Sequence, residues 1–328
     1  MLKDAYARTI HDLRISVTDR CNYSCFYCKT PLDNLLKKRK EDLLSYEEIE
    51  RITRLLVRLG IRKIRLTGGE PLLRASLENL VARIATIPGV EDLALTTNGH
   101  LLTQQAMKLK DAGLQRLTVS VDSLRPERFA QITDSNSLER VLNGIETAKK
   151  VGFKNIKINA VIIRGVNDDE LVDFVRWAKV EGHVIRFIEF MPLDSRHEWG
   201  RDKVVPASEM LDRIAPHETL IPIQRDYVSE TALKFTFGDS QGRLGIIAPV
   251  SRPFCGQCSR LRLTAEGKLR TCLFSHVEHD LAGHLRRGDS EESLEGFVRE
   301  VVNLKEKRHH INDPGFVQPA RTMVFIGG

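Results

Sequence analysis

The sequence lacks long apolar runs and is poor in aromatic residues. No stretch approaches the ~20 apolar residues that a membrane-spanning helix requires, and Met1 to Asp4 do not begin an apolar segment of the secretory type. Aromatic residues make up 6% of the chain, so stacking platforms for nucleic-acid bases are scarce. We therefore expect a cytoplasmic protein with no membrane partner and no nucleic-acid partner.

Cysteine is scarce as well, with six among 328 residues. A disulfide framework is not expected in a chain without a secretory signal. The cysteines form two groups of three, which are Cys21, Cys25 and Cys28, and Cys255, Cys258 and Cys272. A 4Fe-4S cube needs one ligand for each iron. Three thiolates would therefore leave one iron of a cube open to a small molecule.

The charge balance favours an anionic partner. The formal net charge is +6 and the isoelectric point is near 9.0. Net charge alone does not distinguish a nucleotide, a nucleic acid and an acidic protein. Charged residues at 29% and hydrophobic residues at 41% describe an ordinary soluble protein, and a length of 328 residues predicts roughly two domains.

Short β-rich runs alternate with amphipathic helical stretches. Parallel neighbours need a crossover of about a dozen residues, so the alternation predicts parallel strands in an α/β fold. The predicted strands are Leu13 to Thr18, Lys63 to Thr67, Asp92 to Thr97, Arg116 to Asp122, Lys154 to Ile162 and Val184 to Phe190. Such units can form an incomplete (β/α)6 TIM-like barrel or an open doubly wound sheet.

Polar motifs that follow the predicted strands favour the barrel. These motifs are Gly68-Gly69-Glu70, Thr96 to Gly99, Ser120 to Asp122 and Met191-Pro192. Barrel enzymes collect their catalytic loops at this carboxyl end of the strands. We place a domain boundary near Pro216, which gives a barrel of residues 1–216 and a smaller C-terminal domain of residues 217–328 around the second cysteine group.

The spacing of the first cysteine group, Cys-x3-Cys-x2-Cys, resembles that of the radical S-adenosylmethionine (SAM) superfamily, and Tyr27 beside Cys28 fits the same pattern. Structural zinc needs four ligands, and this spacing offers no fourth partner nearby. The resemblance implies that the open iron binds the amino and carboxylate groups of SAM and that one electron cleaves the sulfonium to a 5'-deoxyadenosyl radical. It implies a cofactor but no particular substrate.

The second cysteine group admits two interpretations. His276 follows Cys272 at a C-x3-H spacing and could complete a Cys3His zinc site. Strand alternation, however, places Arg260 and Arg262 on one face of a strand that leaves the cysteine pair. A structural zinc needs no such cations, whereas an anionic substrate does. The two arginines therefore favour a second 4Fe-4S cluster beside a substrate.

From end to end, the chain resembles the GTP 3',8-cyclase family of radical SAM enzymes, which act in molybdenum cofactor biosynthesis. The motifs that carry the resemblance are the two cysteine groups, Lys63 to Pro71, Cys258 to Arg262 and the terminal Gly327-Gly328. The resemblance implies a lyase with two 4Fe-4S clusters and SAM. In this reaction GTP loses its ribose 3' hydrogen to the radical and closes to 3',8-cyclo-7,8-dihydroguanosine 5'-triphosphate.

The resemblance also implies roles for individual residues. The first cysteine group would hold the SAM-cleaving cluster, and the second would hold an auxiliary cluster whose open iron contacts guanine. Residues expected to bind SAM are Tyr27, Gly69, Ser120 and Met191. Residues expected to bind GTP are Arg14, Arg65, Thr96, Lys157, Arg186, Arg260, Leu261 and Arg262, with Lys63 as an addition. Residues assigned to catalysis are Arg260, Arg262, Gly327 and Gly328, since a tail without side chains can enter a narrow opening.

Other partners and competing functions complete the hypothesis. We expect an electron donor of unidentified type, a downstream cyclic pyranopterin monophosphate synthase, and a homodimer. A radical SAM peptide maturase with an auxiliary cluster would not require the Arg260 and Arg262 pair. A zinc-dependent nucleic-acid-binding protein fits the isoelectric point but not the scarcity of aromatic residues.

Overall fold

A computed structural model describes residues 1–29, 33, 37–193, 198–239 and 242–327. Its strands are β1 (Asp12–Ser16), β2 (Lys63–Thr67), β3 (Asp92–Thr97), β4 (Arg116–Ser120), β5 (Lys157–Ile162), β6 (Val184–Glu189), β7 (Leu220–Ile223), β8 (Ala232–Phe237), β9 (Arg243–Ile247), β10 (Arg260–Leu263), β11 (Lys268–Arg270) and β12 (His279–Asp280). Its helices are α1 (Tyr46–Arg58), α2 (Leu77–Ala85), α3 (Leu102–Asp111), α4 (Pro126–Thr133), α5 (Leu138–Lys150), α6 (Leu171–Glu181), α7 (Ala207–Ile214), α8 (Leu281–Arg286), α9 (Glu291–Asn303) and α10 (Met323–Ile326). Within the described ranges, none of the helices has the length and apolar character needed to cross a membrane.

The six predicted strands are present as β1 to β6. The bounds of β2 and β3 are those predicted, and the other four strands differ at their ends. β5 begins at Lys157 instead of Lys154 because Asn155 has a φ of 51°, a left-handed conformation that a strand does not contain. β4 ends at Ser120, and beyond it the side chain of Asp122 accepts the N–H of Val161 at 2.8 Å.

All twelve strands belong to one sheet, in the order β12-β11-β10-β1-β2-β3-β4-β5-β6-β9-β8-β7. The central part, from β10 through β1 to β6 and on to β9, is parallel, and antiparallel strands flank it at both ends. The predicted incomplete barrel is therefore confirmed, with β9 and β10 as additional parallel strands. Strands from both sides of Pro216 share this sheet, so the domain boundary there stays a prediction.

Each parallel strand presents an aliphatic face and a polar face, because successive side chains alternate. In β5, Ile158 and Ile162 are fully buried in the main hydrophobic core, which also contains the apolar faces of the helices. Lys157, Asn159 and Val161 alternate with them and line cavities inside the barrel. The fold thus leaves the inward face free for the polar residues of a site.

A second hydrophobic cluster holds the C-terminal part of the chain in place. It consists of Leu193, Val204, Val250, Phe274, Ile311 and Ile326. These residues join the segments that follow β6, β9 and β11 to helix α10. The cluster therefore fixes the position of Gly327, which follows α10 directly.

Candidate active site

A cavity of about 300 Å³ lies inside the barrel, and all six cysteines line it. The first cysteine group lies in the loop after β1, whereas the second lies just before β10 and just after β11. The carboxyl ends of β2, β3 and β4 also contribute to the wall, through the predicted polar motifs. The fold therefore brings both cysteine groups and the strand-end motifs to one site.

Backbone hydrogen bonds shape the loop of the first cysteine group. The N–H groups of Cys28 and Lys29 both donate to the carbonyl of Cys25 at 2.9 Å. The N–H of Ser24 donates to the carbonyl of Thr133, the last residue of α4, at 3.0 Å. The loop is thus compact and anchored to a neighbouring helix.

Gly69 brings the end of β2 against the same loop. Its N–H donates to the carbonyl of Thr18 at 2.7 Å. A Cβ at this position would lie 2.2 Å from the carbonyl oxygen of Arg20, which is too close for any side chain. The position therefore requires glycine, because the end of β2 packs directly against the backbone of the cysteine loop.

The first cysteine group lies in a buried, partly acidic environment. Burial raises the pKa values of all three thiols, and that of Cys21 rises to about 11. The carboxyl groups of Glu70 and Asp122 add to this effect, and Lys29 partly offsets it. Three free sulfur donors in one loop fit an iron-sulfur cluster, whose irons would stabilise the thiolate forms.

The residues predicted to bind SAM all line the cavity: Tyr27, Gly69, Ser120 and Met191. The hydroxyl of Tyr27 donates to Asp122, whose other carboxylate oxygen accepts the N–H of Val161 at 2.8 Å. The amide of Asn167 donates to the carbonyls of Asp122 and Val161 at 2.7 and 2.8 Å. These contacts fix the Tyr27 ring at the carboxyl ends of β4 and β5.

Two further carboxyl groups follow strands at this end of the barrel. Glu70 accepts the N–H of Asn98 at 2.7 Å and the hydroxyl of Thr97 at 2.6 Å, and burial raises the pKa of Glu70 to about 7 despite these bonds. Burial likewise raises the pKa of Asp122 to about 6. Glu189 differs, because the N–H groups of Ala207, Val250 and Ser251 all donate to it. Its carboxylate joins α7 to the segment after β9.

Five arginines line the same cavity: Arg14, Arg65, Arg186, Arg260 and Arg262. The guanidinium of Arg65 donates to the hydroxyls of Thr96 and Thr118, both at 3.0 Å. Burial, together with neighbouring arginines, lowers the pKa of Arg65 to about 10 and that of Arg262 to about 9. Buried cations that repel each other are costly without an anion. The wall therefore suits a polyanionic ligand.

Three of the residues expected to bind GTP do not line this cavity. Lys157 and Lys63 line an adjacent cavity of about 80 Å³ at the amino ends of the strands. Burial lowers the pKa of Lys157 to about 6, and Arg186 contributes to the decrease. The side chain of Leu261 is fully buried in the core, so only its backbone is available to a ligand. The two cavities share Arg14, Arg65, Arg186, Arg260 and Thr231.

One member of the second cysteine group, Cys258, lies in a positive environment. Burial acts to raise the pKa of Cys258, but Arg260 and Lys305 lower it to about 6. The ammonium of Lys305 donates to the carbonyl of Arg260 at 2.9 Å. Burial raises the pKa values of Cys255 and Cys272. These three sulfur donors, which form no disulfide, also fit a metal cluster.

His276 does not join the second cysteine group inside the barrel. It lines an outer pocket that includes Cys272 but neither Cys255 nor Cys258. In the part of the chain that the structure describes, no three side chains of His, Cys, Asp or Glu are grouped so as to hold a single metal ion. The geometry therefore gives no support to the Cys3His zinc interpretation.

The C-terminal tail reaches the inside of the barrel. Arg262 donates a hydrogen bond to the carbonyl of Gly327, which has a φ of 84°. A Cβ at Gly327 would lie 2.9 Å from the methyl group of Thr67 and 3.1 Å from the Cβ of Ser16, so a side chain would not fit. Gly328 lies outside the described residues. The tail is thus in contact with one of the two arginines assigned to catalysis.

Sequence reasoning missed several residues of the cavity wall, and two of them have buried side-chain polar atoms without a hydrogen-bond partner. Asn159 has a buried side-chain oxygen without a hydrogen-bond partner, and its position two residues after Lys157 on the same strand face could have identified it. His309 also lines the cavity, far along the chain from any predicted motif. No pattern in its surroundings could have assigned it.

Known protein families match this chain along most of its length. The model of the Radical SAM superfamily matches residues 15–178, and that of Molybdenum Cofactor Synthesis C matches residues 183–311. The chain is 45% identical over 306 residues to a GTP 3',8-cyclase of Acidothermus cellulolyticus, which covers 92% of this chain and 84% of that protein. It is 42% identical to a GTP 3',8-cyclase of Pelotomaculum thermopropionicum over 100% of both chains.

Solved structures share the fold. The crystal structure of Streptococcus suis SuiB bound to S-adenosylmethionine superposes with a TM-score of 0.63 and 13% identity, over 89% of this chain and 68% of SuiB. SuiB bound to its precursor peptide SuiA gives a TM-score of 0.64 and 13% identity, over 94% of this chain and 66% of SuiB. At this identity the likeness concerns the fold alone.

Proposed function

This chain belongs to the GTP 3',8-cyclase family of radical SAM enzymes, and from that membership we propose that it converts GTP to 3',8-cyclo-7,8-dihydroguanosine 5'-triphosphate in molybdenum cofactor biosynthesis. The observation that carries the proposal is the single cavity that contains both cysteine groups and five arginines. One ligand with a triphosphate could contact the arginines and still reach the second cysteine group.

The cysteines are proposed as the ligands of two 4Fe-4S clusters. Cys21, Cys25 and Cys28 would hold the first cluster, and Cys255, Cys258 and Cys272 the second, which leaves one iron of each cube without a protein ligand. When bound, the first cluster supplies the electron that cleaves SAM to the radical that removes the ribose 3' hydrogen of GTP. The remaining tasks of the chain are to bind both ligands, orient them and exclude water.

For SAM, the proposed contacts combine a close backbone approach with negative charge. Gly69 lets the end of β2 lie directly against the cysteine loop, where its backbone lines the cavity, and Ser120 offers a hydroxyl group. Tyr27 is held by Asp122, so its ring cannot turn away from the cavity without breaking that hydrogen bond. SAM is positively charged at its sulfonium and amino groups, and Glu70 and Asp122 provide carboxyl groups on the same wall.

For GTP, adjacent strands supply the cations. Arg14 is the register partner of both Arg65 and Arg262, so three guanidinium groups come from neighbouring positions of β1, β2 and β10. Charge-assisted hydrogen bonds contribute about 1.5–3 kcal/mol each. Lys63 and Lys157 extend the positive surface toward the amino ends of the strands. Because strands are rigid, this array would also fix the orientation of the ribose.

The decisive experiment is an anaerobic incubation of the reconstituted protein with SAM, a strong reductant and GTP, followed by identification of the products. We expect 5'-deoxyadenosine and the cyclised nucleotide, and we expect no cyclised product when ATP replaces GTP. Formation of 5'-deoxyadenosine without any cyclised nucleotide would contradict the proposed substrate while retaining radical SAM chemistry.

Other parts of the hypothesis stay predictions. SuiB shares the fold and was solved bound to the precursor peptide SuiA, but a likeness at 13% identity concerns architecture alone and does not favour a peptide substrate here. The electron donor, the downstream cyclic pyranopterin monophosphate synthase, the homodimer and the cytoplasmic location are also predictions. The zinc-dependent nucleic-acid interpretation does not fit the family to which the chain belongs.

A further inference from the structure

His309 is a buried imidazole for which the reaction described above has no role. Its side chain is 8% exposed and lies between two cavities, since it lines both the interior cavity and the outer pocket beside Cys272. Its ring packs at a tilted angle against Phe274, with 5.5 Å between ring centroids. The residue is therefore held in place at the wall of the active site.

The backbone of His309 is tied to the second cysteine group. Its N–H faces the thiol of Cys255 and acts to lower the pKa of that thiol, and Cys272 lies in the same two cavities as the imidazole. Whatever binds at the second cysteine group is therefore close to this side chain. The ring cannot move far without disturbing a proposed metal ligand.

Both ring nitrogens of His309 are buried and neither completes a hydrogen bond within the protein. The carbonyl of Pro249 faces the ring without reaching hydrogen-bond geometry. Buried polar atoms in folded proteins are almost always hydrogen-bonded, so an orphaned pair calls for a missing partner. A partner that arrives in the cavity would satisfy them.

The surroundings indicate which part of the substrate that partner is. Side chains near the second cysteine group include Phe254, Pro249, Leu273 and Phe274, which form an apolar wall suited to a flat base. The triphosphate has its own cations on β1, β2, β6 and β10. The two nitrogens of an imidazole point away from each other, so one of them faces the base, and as an acceptor it would match the N–H groups of guanine at N1 and N2.

We propose that His309 binds the guanine base of GTP and contributes to the choice of guanine over adenine. This inference rests on the function proposed above, and it assigns His309 to substrate specificity, with no part in the radical chemistry. Adenine has an unprotonated N1 acceptor where guanine has an N1–H donor, so an acceptor nitrogen of His309 would be mismatched at that position.

The test is equilibrium binding of GTP and ATP to anaerobically reconstituted protein, without SAM or turnover, together with iron content and the electron paramagnetic resonance spectrum of the reduced clusters. His309→Phe keeps a flat ring and removes both nitrogens, and His309→Asn keeps one donor and one acceptor. The matched control is His310→Phe, because His310 is 60% exposed, pairs with Asp313 and does not line the interior cavity.

We expect the GTP affinity of His309→Phe to fall about tenfold, which corresponds to about 1.4 kcal/mol, while its ATP affinity changes little. His309→Asn should recover part of the loss, and His310→Phe should bind like the parent protein. An unchanged ratio of GTP to ATP affinity in His309→Phe would refute the proposal, and so would loss of iron from both His309 variants, because the imidazole would then serve the metal site. Absence of GTP binding in the parent protein would instead refute the proposed function itself.

Discussion

The two cysteine groups use the same ligand chemistry in opposite electrostatic surroundings. At the first group, burial and the nearby Glu70 raise the pKa of Cys21 to about 11. At the second group, Arg260 and Lys305 lower the pKa of Cys258 to about 6 in spite of burial. SAM carries a net positive charge and GTP several negative charges. The difference between Cys21 and Cys258 parallels the charges of the ligands proposed for the two ends of the cavity.

The largest expected effect tests whether the two ends act separately. Cys28→Ala removes one of three ligands from the first group and should abolish formation of 5'-deoxyadenosine under reducing, anaerobic conditions. Cys272→Ala should retain cleavage of SAM, since the first group is intact, and should lose cyclisation of GTP. Product analysis by chromatography measures both outcomes.

Persistent SAM cleavage in Cys28→Ala would refute the assignment of the first group. Equal loss of SAM cleavage in both variants would show that the two cysteine groups are coupled, and would contradict the separate roles proposed for them. Iron content measured for each variant shows which cluster has been lost.

A smaller effect is expected from the cations at the second end. Arg260→Ala combined with Arg262→Ala removes two charged groups that could each contribute about 1.5–3 kcal/mol, so GTP affinity should fall by about 100-fold or more. SAM cleavage and the iron content of the first group should change little. Equilibrium binding of GTP measures the loss.

A matched control for this pair is Arg51→Ala, because Arg51 is half-exposed, lies on α1 and pairs with Glu291 at 3.2 Å. It should bind GTP like the parent protein. Single substitutions distinguish the two arginines, since only Arg262 also donates to Gly327. Unchanged GTP affinity in the double variant would place the nucleotide elsewhere.

The sequence predicted the first end of the cavity more completely than the second. The short spacing of Cys21 to Cys28 confines three ligands to one loop, and the strand-end motifs identified Gly69 and Ser120 because a parallel sheet brings its carboxyl ends together. Because successive side chains of a strand alternate, residues 260 and 262 were also expected to lie on the same face. Local patterns of this kind can be read without knowledge of the fold.

The residues that escaped prediction depend on long-range packing. His309 reaches the cavity because the segment after α9 packs into the second hydrophobic cluster, and no local pattern encodes that path. The role of Asp122 depends on its hydrogen bond to Tyr27, 95 positions away in the chain. Leu261 shows the converse, since strand alternation places its side chain in the core between two arginines of the site.

The smallest expected effect concerns proton binding at the first end. Burial raises the pKa of Glu70 from its ordinary 4.5 to about 7, so the folded protein binds more protons than the unfolded chain between these values. The free energy of unfolding contributed by this group therefore falls as the pH rises through that window. Glu70→Gln removes this pH-dependent contribution. The free energy of unfolding of the variant, relative to that of the parent, should therefore increase by about 1–3 kcal/mol between pH ~4.5 and pH ~7.5.

Urea unfolding of the metal-free parent and Glu70→Gln proteins at both pH values measures how the difference between their free energies of unfolding changes with pH. Glu48→Gln is the control of opposite sign, because Arg286 lowers the pKa of Glu48 and its stabilisation is present above the ordinary pKa and lost as the pH falls. The Glu48 variant should lose stability at the higher pH, where the Glu70 variant gains it. If Glu70→Gln instead loses stability as the pH rises, Glu70 is ionised and paired in the fold, and burial does not raise its pKa as its surroundings indicate.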